Sequence, residues 1–257
     1  MNCPKPPDIA QHNREIHENA ERWKNKPLLR GIYARFYSEI ARRIQREEPG
    51  HIVELGSGIG NLKQSIPECI ATDLFENPWL DQVENAYCLS FDDGTVGNLI
   101  VFDVWHHLQY PGAAVREFHR VLTPRGRVII LDPAMGLLGR AIYGCFHHEP
   151  LGLNEPIEWE PPAGLETVDF PYFAAQSRAW RMFRPPSLPP QLAGWRREEV
   201  VFWSSLDYLG SGGFRGPQVY PLAAWPLMRG VDRVLSHFPS LFASRMLIVL
   251  SKKEETR

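Results

Sequence analysis

Between residues 13 and 48 apolar side chains recur at helical spacing. Trp23, Leu28, Leu29, Ile32, Tyr33, Phe36, Tyr37, Ile40 and Ile44 form one stripe. Pro27 interrupts this stretch and is expected to open a second helix, because proline has no N–H to give to an interior turn. Pro49-Gly50 ends it, and the polar residues 1–12 are expected to lack order. From residue 51 the pattern changes to short apolar runs that alternate with helical stretches. These runs close near Leu55, Asp73, Phe102 and Asp132, which predicts a parallel sheet with helices on its faces. Between the first two runs only a short helix fits, Asn61 to Ile66, stopped by Pro67. Two later strands are expected, Glu199 to Trp203 and Arg245 to Leu250.

Two connections are long. From Pro133 to about Gly194 the chain is rich in proline and aromatic residues and carries no strand signal. Between the last two strands lies a segment with Gly210-Ser211-Gly212-Gly213-Phe214 and a helix after Pro226. That helix sets Leu227, Met228, Val231, Val234, Leu235 and Phe238 on one side. Its polar face holds only Arg229, Asp232, Arg233 and His237, so packing as lid or core is expected rather than membrane contact. The sixth strand is expected to run parallel to the fourth and fifth. Both insertions then leave the sheet edge where ligands bind in open α/β sheets. A single structural domain is expected, with four parts: a tail and helical lid over 1–48, a nucleoside-binding core over 49–135, a pocket insertion over 136–194, and C-terminal strands with a helical insertion over 195–257.

Val53-Glu54-Leu55-Gly56-Ser57-Gly58-Ile59-Gly60 closes the first strand. The dinucleotide fingerprint needs G-x-G-x-x-G, with a pyrophosphate at the following helix. Here the third glycine comes one residue early, and Asn61 stands where that pattern wants glycine. Glu54 would repel a pyrophosphate and suits a cationic ligand, such as an α-amino group or a sulfonium. The glycines let the backbone approach a ligand closely. Asp73, ending the second strand, is placed to accept from both hydroxyls of a ribose.

In these residues the chain resembles the class I S-adenosylmethionine (SAM) dependent methyltransferases. Their first motif is similar to Glu54-Leu55-Gly56-Ser57-Gly58-Ile59-Gly60, and Asp73 matches their ribose-binding acid. The likeness continues through Asn85-Ala86-Tyr87-Cys88-Leu89-Ser90-Phe91, the fourth strand with its exit Asp103-Val104-Trp105-His106-His107, and the helix and turn from Arg116 to Arg127 before the fifth strand, Val128 to Pro133. It covers roughly residues 51 to 133. Asn85 stands in place of the family's usual acid, and Pro124-Arg125-Gly126 in place of Pro-Gly-Gly. The resemblance implies a Rossmann-like doubly wound sheet of seven strands, mostly parallel with the last antiparallel, an N-terminal helical lid, and insertions after strands five and six. It implies SAM as cofactor and S-adenosylhomocysteine as product. Glu54, Gly56, Ser57, Gly58, Gly60, Asp73, Leu74, Asn85, Ala86 and Asp103 are the expected cofactor residues.

In-line methyl transfer needs alignment, exclusion of water and, for a hydroxyl acceptor, a base. His106 is the first candidate base, Asp132 the second, and His107 stands beside them. The run His147-His148-Glu149 offers adjacent side chains that rarely converge on one ion, so no metal site is expected. The expected partner is a small-molecule methyl acceptor reacting through oxygen or nitrogen. A SAM-binding protein without turnover stays open, as does an NAD-dependent oxidoreductase. A net charge of −2 without a dense basic run speaks against nucleic acid. The absence of a long apolar run and of a signal-like N-terminus points to a cytoplasmic protein without a membrane span. Four scattered cysteines are expected to be reduced, and a homodimer stays open.

Overall fold

The structure, a computed structural model, describes residues 9–147, 149–165 and 172–253. Seven strands form one sheet in the order β3-β2-β1-β4-β5-β7-β6. β1 (His51–Leu55), β2 (Ile70–Asp73), β3 (Gln82–Val83), β4 (Val96–Phe102) and β5 (Leu122–Pro133) run parallel. β7 (Arg245–Lys252) lies antiparallel between β5 and β6 (Trp195–Trp203). β6 is therefore parallel to β5, as the sequence leads one to expect, and the Rossmann-like doubly wound sheet with a reversed last strand is confirmed.

The centre of the sheet is buried on both faces, which is why β4 and β5 read as nearly continuous apolar runs. Their side chains alternate between two cores. Leu99, Val101, Val128 and Ile130 meet Val115 and Phe118 of α3 (Pro111–Val121), with Trp180 and Phe183 of α5 (Arg178–Phe183). Ile100, Phe102, Ile129 and Leu131 meet Leu29, Ile32, Phe36 and Ile40 of α2 (Pro27–Ala41). Burying each such side chain contributes roughly 2 kcal/mol.

The structure departs from the sequence pattern in several places. α1 (Ile9–Asn25) begins within the stretch expected to be disordered, because Ile16 and Trp23 find cover. β3 is only two residues long, and turns rather than helices connect β2 to β3 and β3 to β4. β5 starts directly after α3, so the expected turn at Pro124-Arg125-Gly126 lies within the strand, beside a register irregularity. β6 begins at Trp195, earlier than its apolar run suggests.

The first insertion holds α4 (Leu137–Phe146) and α5; the second holds α6 (Leu206–Ser211), α7 (Trp225–Leu235) and α8 (Pro239–Phe242). The expected packing of the apolar side of α7 is not found. Leu227 and Val234 are 71% and 61% exposed, and Val231 and Phe238 are exposed too. Trp225 at its start, packed against the core and donating to Asp207 at 3.0 Å, and the carboxylate of Asp232 dock this helix instead. Buried Asp232 accepts from the amides of Leu206 and Asp207 at 2.6 and 3.1 Å, capping the otherwise open N-terminus of α6. Among the described residues no helix is long and apolar enough to cross a membrane. Cys69, Cys88 and Cys145 carry free thiols, and Cys3 lies outside the described residues.

An ion pair between buried Arg245 and half-buried Asp103 ties the exit of β4 to the start of β7. Asp103, with a left-handed φ of 55°, takes both terminal nitrogens of Arg245, one at 3.0 Å. The Arg245 guanidinium lies 4.6 Å from the Tyr208 ring centroid. Asp103→Ala would leave this charge buried without its partner, and the unfolding free energy in urea is expected to fall by about 3 kcal/mol. A loss below about 1 kcal/mol would show that the pair does not hold the edge together.

Candidate active site

β1 and β2 end side by side, with Leu55 opposite Thr72. The chain must leave β1 in a space already filled by Val104. A Cβ at residue 56 would lie 2.2 Å from Val104 Cγ2, and Gly56 has φ +69°. Only glycine fits there. Ser57 fastens the turn to β2: its amide donates to the Thr72 carbonyl at 2.8 Å, and its Oγ accepts from the Thr72 amide at 3.0 Å. Asp73 accepts from the amides of Gly58 at 3.0 Å and Leu74 at 2.7 Å. The Leu74 side chain stands half exposed beside it. Gly60 adopts φ +65°, with the Trp79 carbonyl 2.8 Å from where a Cβ would sit. Val83 of β3 lies opposite Asp73, so Asn85 and Ala86 follow at the same edge. The Asn85 side-chain oxygen accepts from the Tyr87 amide at 3.0 Å.

Glu54 is the electrostatic centre of this crevice. It is buried, and its Oε2 has no hydrogen-bond partner. Burial, with the Asp73 charge adding to it, outweighs a hydrogen bond from Ser57 and pushes the carboxyl up to about 7. A buried, unpaired carboxylate of this kind is stabilised by a cationic ligand. The residues present thus fit a ligand that joins an ammonium and a sulfonium to a nucleoside.

α1 covers the glycine turn. Ile16 Cδ1 approaches within 3.7 Å of the Cβ position of Gly58, and the His17 ring packs 5.1 Å from that of Trp79. The second insertion holds α1 and α2 in place. Arg215 pairs with Glu15 at 2.8 Å, and Lys26 Nζ donates to the carbonyls of Gly213 and Gly216, each at 2.7 Å. Trp23, Tyr33 and Tyr37 are buried in an aromatic cluster with Phe102 and Phe214.

Past β4, a short 3-10 turn over Trp105–His107 presents the two histidines, with ring centroids 4.1 Å apart. His106 Nδ1 donates to Asp132 Oδ1 at 2.8 Å. His107 Nδ1 donates to the Phe173 carbonyl at 2.9 Å. The first insertion folds back over this turn: the Ala175 amide donates to the His106 carbonyl at 2.9 Å, and Arg178 to the Gln109 carbonyl at 2.9 Å. It thereby brings in Glu149, whose carboxylate accepts from Tyr172 Oη at 2.6 Å and from Gln176 Nε2. Burial disfavours the charged form of His106, but Asp132 and then Glu149 outweigh it and push the imidazole up to about 10. Burial and the neighbouring His106 push His107 down to about 4. Burial opposes the charge on Glu149 as well, but the histidines hold it well below the usual carboxylate range.

The sequence-predicted residues thus form two groups at one sheet edge. Glu54, the glycines, Asp73, Leu74, Asn85 and Ala86 line the crevice, while His106, His107 and Asp132 stand past β4 and β5. Asp103 is engaged by Arg245. The sequence sets Glu149, with His147 and His148, past the fifth strand in a loop expected to contact acceptor or cofactor, but its approach to His106 depends on a long-range fold-back that no local spacing signals. His148 lies outside the described residues. The surface grooves near Trp180 and Phe202 share no lining residue with either group.

The crevice region, residues 53–130, matches the family model of a methyltransferase domain. Residues 53–130 thus form a methyltransferase domain of the class I SAM-dependent kind. SAM is the cofactor of this methyltransferase domain. The fold is similar to that of the cyclase SpnF, with a TM-score of 0.53 at 12% identity over 99% of this chain and 100% of that one. It is equally similar to a SAM-dependent methyltransferase from Thermotoga maritima, with a TM-score of 0.53 at 15% identity over 93% and 99%. No curated protein matches the sequence.

Gly56→Val and Asp73→Ala are each expected to weaken SAM binding in this methyltransferase at least tenfold, about 1.4 kcal/mol by calorimetry. Unchanged affinity in both folded variants would refute the crevice. Protonation removes the charge that Glu54 offers to a cation. SAM affinity is therefore expected to fall as pH drops through about 7, and Glu54→Gln to flatten that slope. An equal slope in the variant would assign the dependence to another group.

Proposed function

We propose that the protein moves the methyl group of SAM onto an oxygen or nitrogen of a small-molecule metabolite. One observation carries this reading: the unpartnered, buried Glu54 oxygen stands at the same sheet edge as the His106–Asp132 pair. When bound, SAM supplies an electrophilic methyl on a positively charged sulfur. Glu54 accepts from the α-amino group. Gly56, Ser57, Gly58 and Gly60 admit the ligand close to the backbone, and Asp73 takes the ribose hydroxyls. Asn85 accepts from the adenine amino group, with Leu74 and Ala86 beside it, and Asp103 holds the adjoining wall through Arg245. His106, oriented by Asp132, and His107 face the reacting atom of the acceptor. The two insertions and the N-terminal helices enclose the acceptor, position it and exclude water, which supplies much of the acceleration in such a displacement.

A second reading, a SAM-binding protein that does not transfer the methyl, rests on the same crevice. The fold it shares with a cyclase favours keeping it in view. The glycine register and Glu54 disfavour a nicotinamide dinucleotide. Turnover, not affinity, separates the first two readings. With labelled SAM and a panel of hydroxylated and amino metabolites, methylated product is expected. His106→Ala is expected to lower its rate at least tenfold while leaving SAM affinity nearly unchanged, as removal of a group that positions the acceptor does. Full activity in that variant would leave positioning to the insertions and N-terminal helices alone, and saturable SAM binding with no product from any acceptor would select the second reading.

A further inference from the structure

We propose that His106, His107 and Glu149 form a binding site for one first-row divalent transition metal of the zinc class. One donor atom from each of the three lies within 4.8 Å of the other two. His106 Nε2 stands 3.6 Å from Glu149 Oε2, and His107 Nε2 stands 3.8 Å from Glu149 Oε1. Both separations are too long for hydrogen bonds. They are close to the roughly 3.4 Å between two ligands that each lie about 2.1 Å from one tetrahedral ion.

The outer partners strengthen the assignment. A carboxylate and a carbonyl can only accept, so Nδ1 of each histidine carries the proton that bonds Asp132 or Phe173. Nε2 is then the nitrogen left to a metal, and it is the atom turned to Glu149 in both rings; it is unprotonated in neutral His107, whereas in His106 the ion would displace the proton that Asp132 and Glu149 favour. Metal-binding histidines are oriented in this way, by a carboxylate or a backbone carbonyl on the other ring nitrogen. Glu149 is likewise aimed, by Tyr172 and Gln176. A donor set of two imidazoles and one carboxylate suits zinc, iron(II) or cobalt(II) better than magnesium or calcium. The adjacency of His106 and His107 is no obstacle, because the 3-10 turn at Trp105–His107 brings their rings together.

Three protein ligands leave at least one position open, the arrangement of catalytic rather than structural metal sites. The site stands at the exit of β4, on the edge shared with the cofactor crevice. An oxygen of the methyl acceptor is the natural further ligand, and this last part rests on the methyl-transfer reading. The metal site itself does not.

The test uses untagged full-length protein, stripped with a chelator and titrated with Zn²⁺ by calorimetry and with Co²⁺ by visible absorption. The expected result is saturation at about one equivalent, with the visible bands of a low-symmetry Co²⁺ site. His107→Ala and Glu149→Gln are expected to weaken binding at least tenfold, whereas His237→Ala, on an exposed helix end, is expected to leave it unchanged. Glu149→Gln can still accept from Tyr172, so it serves where His107→Ala fails to fold. SAM is titrated in parallel. Metal binding without SAM binding would sink the methyltransferase reading and keep the site. SAM binding with no metal bound, or with wild-type metal affinity in Glu149→Gln, would overturn the site alone.

Discussion

The register between β1 and β4 determines where the functional groups can stand. Leu55 lies opposite Val101, so the two strands end nearly level. Val104, just past β4, then fills the space beside residue 56 and forces glycine there. The next pairing, Phe102 opposite Leu131, carries the alignment on to β5. Glu54, Asp103, His106 and Asp132 thereby gather at one edge, although they come from three strands. Packing on both faces of β4 fixes this register, since a one-residue slip would exchange the two cores.

That edge concentrates negative charge in a low-dielectric setting. The structure answers each acid differently. Asp103 receives Arg245, Asp73 receives two backbone amides, Asp132 receives His106, and Glu149 receives Tyr172 and Gln176. Asp132 and Glu54 each keep one buried oxygen without a hydrogen-bond partner among the described residues, and of the two only Glu54 lacks a charged neighbour of opposite sign. Buried polar groups are almost always satisfied, so an exception of this kind points to a ligand. The ligand it calls for is cationic. The electrostatics of the crevice and the family of the domain thus agree on SAM for separate reasons.

Much of this was legible in the sequence because it is local. The glycine turn, Glu54 and Asp73 lie on two consecutive strands, and the histidine pair follows β4 directly. The parallel sheet followed from the alternation of strands and helices, and the reversed last strand from the family resemblance. The rest depends on contacts between distant segments. Arg245 is an ordinary residue at the head of a strand until the fold sets it against Asp103. Glu149 acquires a role only when the first insertion closes over the β4 exit. The apolar side of α7 misled in the opposite direction, because helical spacing shows that a face exists without showing that anything covers it. In that helix the buried carboxylate of Asp232 and the Trp225 ring at its start make the docking contacts, and amphipathic patterning does not register such residues.

The central claim is that the crevice takes SAM through an acid that rejects a pyrophosphate. Calorimetric titration of the purified protein with SAM, S-adenosylhomocysteine and NADH, side by side, tests it most directly. The account predicts saturable binding, in the micromolar range of about 8 kcal/mol, for the first two ligands and none for NADH. Binding of NADH with no binding of SAM would contradict it.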